Sequence, residues 1–348
     1  ESVIPDKNID MTNADALKKL QQHAKRQPLN RDVTKLLAKL NDAVKGLDKF
    51  ATKTDDLIKS INEDATTHPS PAFKNASHPD YKQEDGTTAV KTKNVAAKKA
   101  IDEYGDALNA AKDLLKNPAA TQKQVNEALK TLNEKRAALD AYKTDTAKLT
   151  ESVGKHGSTE GPAATEGTQT SDAYRNASDP RFMKEEGGKL VPDTDKNDQA
   201  TAAKKAYDEA LTKAQELLKK HDSADTPQDA KPTQKEINEA LKALDDARTE
   251  IEKYKTDTTA LNAEAEKSQA DTATTPTAGQ FEDSPEFKNA QAKTSNGQTN
   301  ADVAAYQEAL KKARDLVKAA TEQGKKNSER PTQQKINEAL DALKAAKK

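Results

Sequence analysis

The sequence repeats itself, and its few aromatic residues mark the repeats. The segment that starts at Val33 returns at Val125, Ile237 and Ile336, at spacings of 92, 112 and 99 residues. Eleven of the 12 aromatic residues stand at equivalent positions: Phe50, Tyr142 and Tyr254; Phe73, Tyr174 and Phe287; Tyr81 and Phe182; and Tyr104, Tyr207 and Tyr306. Repetition of this kind is typical of arrays of small structural units. We therefore expect similar units, each built round a few bulky side chains.

Two segments of each repeat have the spacing of an amphipathic helix. In the first, apolar residues follow one another at intervals of four and three, as in Val33, Leu37, Leu40, Val44 and Leu47. The second segment contains Tyr104, Tyr207 or Tyr306 and has the same spacing. Such residues fall on one side of a helix, which can pack against a neighbour. The pattern predicts thin helical cores in spite of a mean hydropathy of −1.02.

Helix starts can be read from the residues before these segments. Thr233 and Glu236 have the spacing of a capping box, in which two side chains bond the free amides of a helix start. Thr121 and Gln124 give the amide version of the same pattern, and Thr332 keeps the Thr alone.

No Pro or Gly interrupts the chain from Leu47 to Ile61, and the apolar stripe continues through Phe50. This predicts one helix over residues 31–64, about 50 Å long at about 1.5 Å per residue. Its first half would close one bundle and its second half would open the next. The predicted fold is all-α, with tandem three-helix bundles joined end to end by shared long helices in an elongated rod.

The repeat boundaries predict four segments. Residues 1–50 would form a partial helical unit that contains the last two helices of a further repeat. Residues 50–142, 142–254 and 254–348 would each form a three-helix repeat.

Composition excludes several classes of function. Because 57 basic residues face 58 acidic ones, the chain lacks the basic excess of a nucleic-acid-binding protein. No stretch approaches 18 apolar residues, so we expect no membrane insertion. Without cysteine there is no disulfide or thiol chemistry. No catalytic motif occurs, and Gly187-Gly188-Lys189 lacks the spacing of a phosphate-binding loop. We expect a monomer that is not an enzyme and binds no cofactor.

A short phrase recurs between the helical segments. It reads "SPAFKNAS" at 70–77, "SDAYRNAS" at 171–178 and "SPEFKNA" at 284–290. Ser70-Pro71 and Ser284-Pro285 are typical of an N-cap followed by proline in the first turn. The aromatic residue of the phrase either packs into its own bundle, as the shortage of other core residues favours, or grips a partner.

The second interpretation makes this region the candidate partner-binding site. Its residues are Phe73, Asn75, Tyr81, Tyr174, Asn176, Phe182, Phe287 and Asn289.

Two other patterns in these connections have a competing interpretation. Asn75 and Asn176 lie in N-glycosylation sequons, but Asn289 does not, which favours a structural role for the Asn. The segment "DTDKND" at 193–198 has acidic residues at calcium-loop spacing, but it lacks the Gly and the Glu of such a loop. A solvated acidic turn is the favoured interpretation there.

The Tyr-x-x-Ala-Leu segment and the following Thr-Gln-x-x-Ile/Val-Asn-x-Ala-Leu segment resemble the FIVAR-type helical repeats of Gram-positive surface proteins, including giant matrix-binding proteins of staphylococci. The matching stretches are 104–139, 207–251 and 306–343. The long connections between the first and second helices depart from that pattern. The resemblance implies an extracellular protein anchored to the cell wall, which acts in adhesion or as a spacer.

Two functions follow as alternatives. In the first, the chain is a stalk of a bacterial adhesin, with or without contacts to host matrix. In the second, each repeat binds a host matrix or plasma protein such as fibronectin or fibrinogen. A wall-active enzyme would need a cleft with convergent polar groups, which the sequence does not indicate. Since the chain begins Glu-Ser-Val without a signal peptide or an anchor, we expect it to be a fragment of a longer protein.

Overall fold

The computed structural model describes residues 14–83, 88–157, 166–268, 279–293 and 299–348. Helix makes up 73% of the structure and strand 3%, which confirms the all-α prediction. The elements in chain order are α1 (Ala14–Asp48), α2 (Asp55–Asn62), α3 (Asp64–Thr67), α4 (Pro71–Ser77), α5 (Lys91–Leu115), α6 (Gln122–Ala138), α7 (Ala147–Gly154), α8 (Asp172–Ser178), β1 (Met183–Glu186), β2 (Lys189–Pro192), α9 (Thr194–Asp222), α10 (Gln234–Ile251), α11 (Thr259–Ser268), α12 (Pro285–Ala292), α13 (Ala301–Thr321) and α14 (Gln333–Ala346).

The chain divides into two compact units, residues 1–63 with 105–134 and residues 64–104 with 135–348. The first unit contains α1, α2, the second half of α5 and most of α6. Its buried apolar side chains are Leu57, Leu108, Ala111, Val125 and Leu132. Residues 14–48 form one helix, so the prediction of two helices within residues 12–50 is wrong.

The predicted continuous helix over residues 31–64 is also wrong, because α1 ends at Asp48 and α2 begins at Asp55. The break has a physical cause in the first unit. The Thr52 hydroxyl donates to the carbonyl of Ala120 at 2.7 Å, and the Lys53 amide donates to Gln122 Oε1 at 2.8 Å. A continuous helix would use the Lys53 amide for its own ladder. Bonds to the start of α6 replace that ladder.

The second unit contains two three-helix bundles in sequence. Helices α7, α9 and α10 surround one core, and α11, α13 and α14 surround another. Fully buried side chains of the first core include Leu149, Tyr207, Ile237, Leu244 and Ile251. Those of the second core include Leu261, Tyr306, Ile336 and Leu343. In these two bundles the apolar stripes meet as predicted. The corresponding prediction is wrong for the stripe of α1, whose side chains are exposed, as is Phe50. The residues of that stripe are Val33, Leu37, Leu40, Val44 and Leu47.

A turn also interrupts the chain between one bundle and the next in this unit. A 3-10 turn at Leu139–Tyr142 precedes α7, and another at Glu252–Tyr254 precedes α11. Asp145 and Asp257 then accept hydrogen bonds from Ala147 and Thr259 through their carboxylates, at 3.0 and 2.9 Å. These carboxylates satisfy amides of the new helix start.

The predicted helix starts can be compared with the structure one by one. Thr233 and Glu236 form the capping box, and Thr121 with Gln124 forms its amide version. Thr332 stands at the N-cap of α14, but its side chain accepts no cap bond. Pro71 and Pro285 stand in the first turns of α4 and α12, as predicted.

The long connections carry short elements. Each phrase forms a short helix, α4, α8 or α12. After α8, β1 and β2 form an antiparallel hairpin with Met183 opposite Pro192. After α4, Lys82 and Ala89 form an isolated antiparallel bridge. The short helix is thus held between its own bundle and the segment that follows.

Candidate functional site

The short helices α4 and α8 each contact the rest of the protein on two sides. The aromatic residue and the Asn of the phrase stand two positions apart, which is about 200° round a helix of about 3.6 residues per turn. They must therefore point in nearly opposite directions. In both helices the aromatic side chain packs against its own repeat, and the Asn contacts the repeat that follows.

The aromatic side chain meets the Tyr of the second helix in its own repeat. Ring centroids are 6.2 Å apart for Phe73 and Tyr104, and 5.9 Å apart for Tyr174 and Tyr207. Both pairs are edge-to-face, the geometry that the ring quadrupole favours. Phe73 and Tyr174 are half-buried, while the two partner tyrosines are almost fully buried. Tyr207 belongs to the core of α7, α9 and α10, and Tyr174 packs against that core.

The third phrase repeats this packing in α12. Phe287 is buried and lies 5.2 Å from Tyr306, centroid to centroid. Phe281, the aromatic residue with no equivalent in the other repeats, lies 5.0 Å from Tyr306 and completes the cluster.

The hydroxyl of the central Tyr has a different partner in each repeat. Tyr104 donates to the Asp64 carboxylate at 2.8 Å, and Tyr306 donates to the carbonyl of Ser268 at 2.7 Å. The Tyr207 hydroxyl lies 3.0 Å from Nδ1 of His156. Burial lowers the pKa of His156, and Arg248 and Lys204 lower it further against the opposing effect of Asp208. Its ring is therefore held in the neutral form.

The Asn side chain makes three hydrogen bonds to the next repeat. Asn176 Nδ2 donates to the carbonyl of Tyr254 and to the Thr256 hydroxyl, both at 3.0 Å. Its Oδ1 accepts from the backbone amide of Gln333 at 2.7 Å. One side chain thereby joins the turn between the two bundles to the first residue of α14.

Asn75 forms the same contacts at the preceding junction. Its Nδ2 donates to the Tyr142 carbonyl at 2.9 Å and to the Thr144 hydroxyl at 3.0 Å, and its Oδ1 accepts from the Gln234 amide at 2.7 Å. Asn75 is 2% exposed and Asn176 is 1% exposed. We call this three-way contact the Asn socket.

A second set of bonds fixes the residues that receive the Asn. The Thr144 hydroxyl donates to the carbonyl of Pro232 at 2.8 Å. The Asp145 amide donates to Gln234 Oε1 at 2.8 Å, and Gln234 Nε2 returns a bond to the Asp145 carbonyl at 3.2 Å. Equivalent bonds join Thr256 to Pro331, and Asp257 to Gln333, with lengths of 2.6, 2.8 and 3.2 Å. We call these bonds the Thr-Gln lock.

A second aromatic residue covers each Asn socket. Tyr81 and Phe182 are buried and lie 6.2 and 6.1 Å from Tyr142 and Tyr254, centroid to centroid. The Tyr81 hydroxyl also donates to the Tyr142 carbonyl at 2.9 Å. Burial raises the pKa of this hydroxyl, so it stays a protonated donor. The aromatic residue shields the socket from water.

The basic residue before the Asn also reaches forward. Lys74 donates to the carbonyl of Asp229 at 2.8 Å. Arg175 donates to the carbonyls of Asn327 and Arg330 at 2.9 and 2.7 Å. Both sets of acceptors lie in the 3-10 turn and connection before the third helix of the next repeat. This contact extends each junction beyond the socket.

These contacts place the predicted site residues. Tyr81, Phe182 and Phe287 are buried within the protein, whereas Phe73 and Tyr174 are half-buried against Tyr104 and Tyr207. Asn75 and Asn176 use both their amide nitrogen and their oxygen, which leaves no room for a glycan and favours the structural role. Asn289 alone among the eight is exposed. Sequence reasoning missed Thr144, Thr256, Gln234 and Gln333, although the recurrent "TDT" tripeptide and "TQ" dipeptide were a usable signal.

The segment at 193–198 does not form a calcium loop. Asp193 caps α9 by accepting from the Lys196 amide at 3.2 Å, and the residues after it are helical. Asn197 Oδ1 accepts from the Phe182 amide at 2.8 Å, which ties this helix to the second aromatic. In the part of the chain that the structure describes, no group of three His, Asp or Glu side chains is placed to hold a metal ion.

A cleft of about 330 Å³ opens beside the first junction. Its walls include apolar groups of Ile237 and Leu241, the ammonium groups of Lys93 and Lys148, and the carboxylate of Asp245. Because the walls of the cleft carry both positive and negative groups, the cleft favours neither anionic nor cationic ligands. The Lys93 ammonium lies 4.0 Å above the Tyr81 ring, and Lys148 donates to the carbonyl of Gln83, so both cations already have partners.

Two stretches of the chain, residues 81–140 and 186–252, match the FIVAR domain family. Both stretches are FIVAR-type repeats. FIVAR repeats form a non-catalytic family that occurs in extracellular surface proteins, and they indicate a cell-surface or matrix-associated repeat region. Both matched FIVAR stretches begin near the second aromatic or its hairpin and end near the turn that enters the next bundle. The third stretch of the resemblance, 306–343, lies outside both matches.

No curated protein and no solved structure matches the chain. Among the residues that the structure describes, every helix is too short or too polar to span a bilayer.

Proposed function

We propose that the chain is a non-enzymatic spacer region of a bacterial cell-surface adhesin, anchored to the wall of a Gram-positive bacterium. The repeats at 50–142, 142–254 and 254–348 would be the units of the array. The observation that carries the proposal is the double occurrence of the Asn socket and the Thr-Gln lock, with matching lengths. Neighbouring domains move freely unless their interface restrains them. Buried, directional bonds at a junction supply that restraint, which a spacer needs in order to hold a distant binding region away from the wall.

The test measures the restraint directly in the whole chain. Since the sequence has no cysteine, Lys213→Cys and Lys312→Cys introduce two unique labelling sites, on exposed positions of α9 and α13. Spin labels at these sites report the distance distribution across the second junction. We expect a narrow distribution that broadens when Asn176→Ala removes the socket. A broad distribution in the parent labelled chain would contradict the spacer proposal.

A host-protein-binding array is the alternative proposal. It predicts that the chain binds fibronectin, fibrinogen or another plasma protein with about one site per repeat. Phe73→Ala is a poor probe of that idea, because Phe73 packs on Tyr104 and its loss would lower stability as well. Calorimetric titration of the full chain with each host protein measures the stoichiometry without a variant. Saturable binding near one host molecule per repeat would favour this alternative over a spacer.

A further inference from the structure

The helix α12 repeats one side of α4 and α8 but leaves the other side open. On the inner side, Ser284 accepts from the Phe287 amide at 3.2 Å, and Phe287 packs on Tyr306. On the outer side, Asn289 is exposed, whereas Asn75 and Asn176 are 2% and 1% exposed. The difference has a simple cause, because the groups that bury Asn75 and Asn176 come from the following repeat.

A second residue of α12 shows the same contrast. Lys288 takes the position of Lys74 and Arg175, which donate to backbone carbonyls of the next repeat. The ammonium group of Lys288 lies 3.6 Å from the Asp283 carboxylate, and its side chain is 60% exposed. Two forward-reaching side chains of α12 are therefore available at the surface.

The partner that fits them is defined by the two complete junctions. It must present a backbone carbonyl and a Thr hydroxyl to the Asn amide nitrogen, and a free helix-start amide to the Asn oxygen. The carbonyl belongs to the Tyr two residues before the Thr, and the Thr-Gln lock holds the Thr hydroxyl and the helix-start amide in place. The equivalent residues Thr52, Lys53 and Gln122 form the same bonds, and none of the described phrase helices contributes an Asn to them. The lock therefore does not require the phrase Asn.

We propose that Asn289 and Lys288 form the forward-reaching half of a third junction, and that their partner is the start of another FIVAR-type repeat. The inference rests on the proposed function, since it treats the chain as one part of a repeat array. The partner repeat contributes a Tyr-Lys-Thr-Asp-Thr turn and a helix that begins Thr-Gln. Asn289 donates to the turn and accepts from the amide of the Gln.

The third junction is looser than the other two. Ala72 and Ala173 are buried at the position where α12 has the exposed Glu286. Residues 293–305 also contain no aromatic residue to take the place of Tyr81 or Phe182. The socket thus keeps its hydrogen bonds but loses its apolar cover.

The experiment adds a further repeat after residue 348. The extended protein consists of residues 1–348 followed by a second copy of residues 250–348. This keeps the register, because Lys348 aligns with Thr249 in the repeat. Cysteine replaces Lys312 and its counterpart in the added copy, and spin labels report the distance distribution across the new junction.

We expect Asn289→Ala to broaden that distribution about twofold, as for a junction that loses its restraint. Asn289→Asp keeps the acceptor but loses the donor, so it should broaden the distribution less. Asn75→Ala, at a distant junction, is the matched control and should leave the width unchanged.

Equal widths with and without Asn289→Ala would overturn the inference. That failure is separable from failure of the spacer proposal, which the Lys213 and Lys312 label pair tests at a different junction. Because Asn289 is exposed in the present chain, the variant should fold normally, and an unchanged circular dichroism melting curve checks this.

Discussion

The junctions that follow α4 and α8 share the same centre, which is the Asn socket with its Thr-Gln lock. They differ at their edge, which is the set of contacts around that centre. Asn75 and Asn176 make the same three bonds, and the two Thr-Gln locks differ by no more than 0.2 Å in any bond. At the edge, Tyr81 of the first junction is replaced by Phe182 of the second, which cannot donate a hydrogen bond.

Other edge contacts exist in the second junction alone. Asp172, where the first junction has Pro71, accepts from the Thr256 amide at 2.8 Å through its carboxylate. Arg175 reaches two carbonyls where Lys74 reaches one. The comparison teaches that the buried Asn fixes the geometry, while the surrounding contacts can be exchanged without moving it.

The largest effect should come from Asn75→Ala and Asn176→Ala. Each change removes the partner of a buried helix-start amide, Gln234 or Gln333, and Asn176→Ala also removes a donor to the Tyr254 carbonyl. One unsatisfied buried group costs about 1–3 kcal/mol. We expect each variant to lose roughly 2–4 kcal/mol of unfolding free energy, since water can enter and recover part of the loss. Urea unfolding of the whole chain, monitored by circular dichroism, measures the change.

Asn289→Ala is the matched control for both variants. It removes the same side chain from an exposed position, so its effect should stay within about 0.5 kcal/mol. If Asn75→Ala and Asn176→Ala lowered the free energy of unfolding as little as Asn289→Ala, the buried Asn would not be what fixes the junctions.

The next largest effect should distinguish the edge contacts of Arg175 from those of Lys74. Arg175→Met should destabilise by about 1–2 kcal/mol, because charged donors to two carbonyls are lost and the apolar stem is kept. Arg175 is half-buried, and this burial lowers the pKa of its guanidinium. Lys74→Met loses one exposed bond and should cost less than about 0.5 kcal/mol. Equal losses in the two variants would show that the edges are interchangeable in energy as well as in geometry.

The sequence allowed the repeats, the helical cores and the short capped helices to be predicted, because each depends on local patterns. The sequence also predicted that the aromatic residue of the phrase either packs into its own bundle or faces a partner. The break between bundles could not be predicted, since nothing local forbids a helix at Lys53 or Asp145. It forms because the Gln side chain, about 70 to 90 residues further on, bonds the amide that a helix would use. The socket was missed for the same reason, because its four groups come from three distant segments.

A pH effect distinguishes the repeat between the two junctions from its neighbours. His156 packs on Tyr207, whereas Asp64 and Ser268 bond the corresponding tyrosines. Because the pKa of His156 is lowered in the folded chain, the unfolded chain binds its proton more readily. The contribution of neutral His156 to the free energy of unfolding is therefore fully present above a pH of about 6.5, the ordinary pKa of His. It is lost as the pH falls through the lower pKa of the folded chain.

An NMR titration of ¹³C-labelled histidine measures this directly. The His156 resonance should titrate below the ordinary value of about 6.5. His156→Gln should reduce the loss of stability between pH 7 and pH 5. A His156 midpoint at or above the ordinary value would remove this distinction between the repeats.

The smallest effect should come from exchanging the second aromatics. Tyr81→Phe loses the bond to the Tyr142 carbonyl, but that carbonyl keeps its bond from Asn75 Nδ2. The expected loss is therefore only about 0.5 kcal/mol, at the low end for a hydrogen bond. Phe182→Tyr places a hydroxyl at the equivalent position, where the Tyr254 carbonyl can accept a second bond, and stability should change by less than about 0.5 kcal/mol. Urea unfolding of both variants measures the pair. A loss above about 1.5 kcal/mol for Tyr81→Phe would be as large as the loss of a bond that has no substitute. The Tyr81 hydroxyl would then be as important to the junction as the Asn socket.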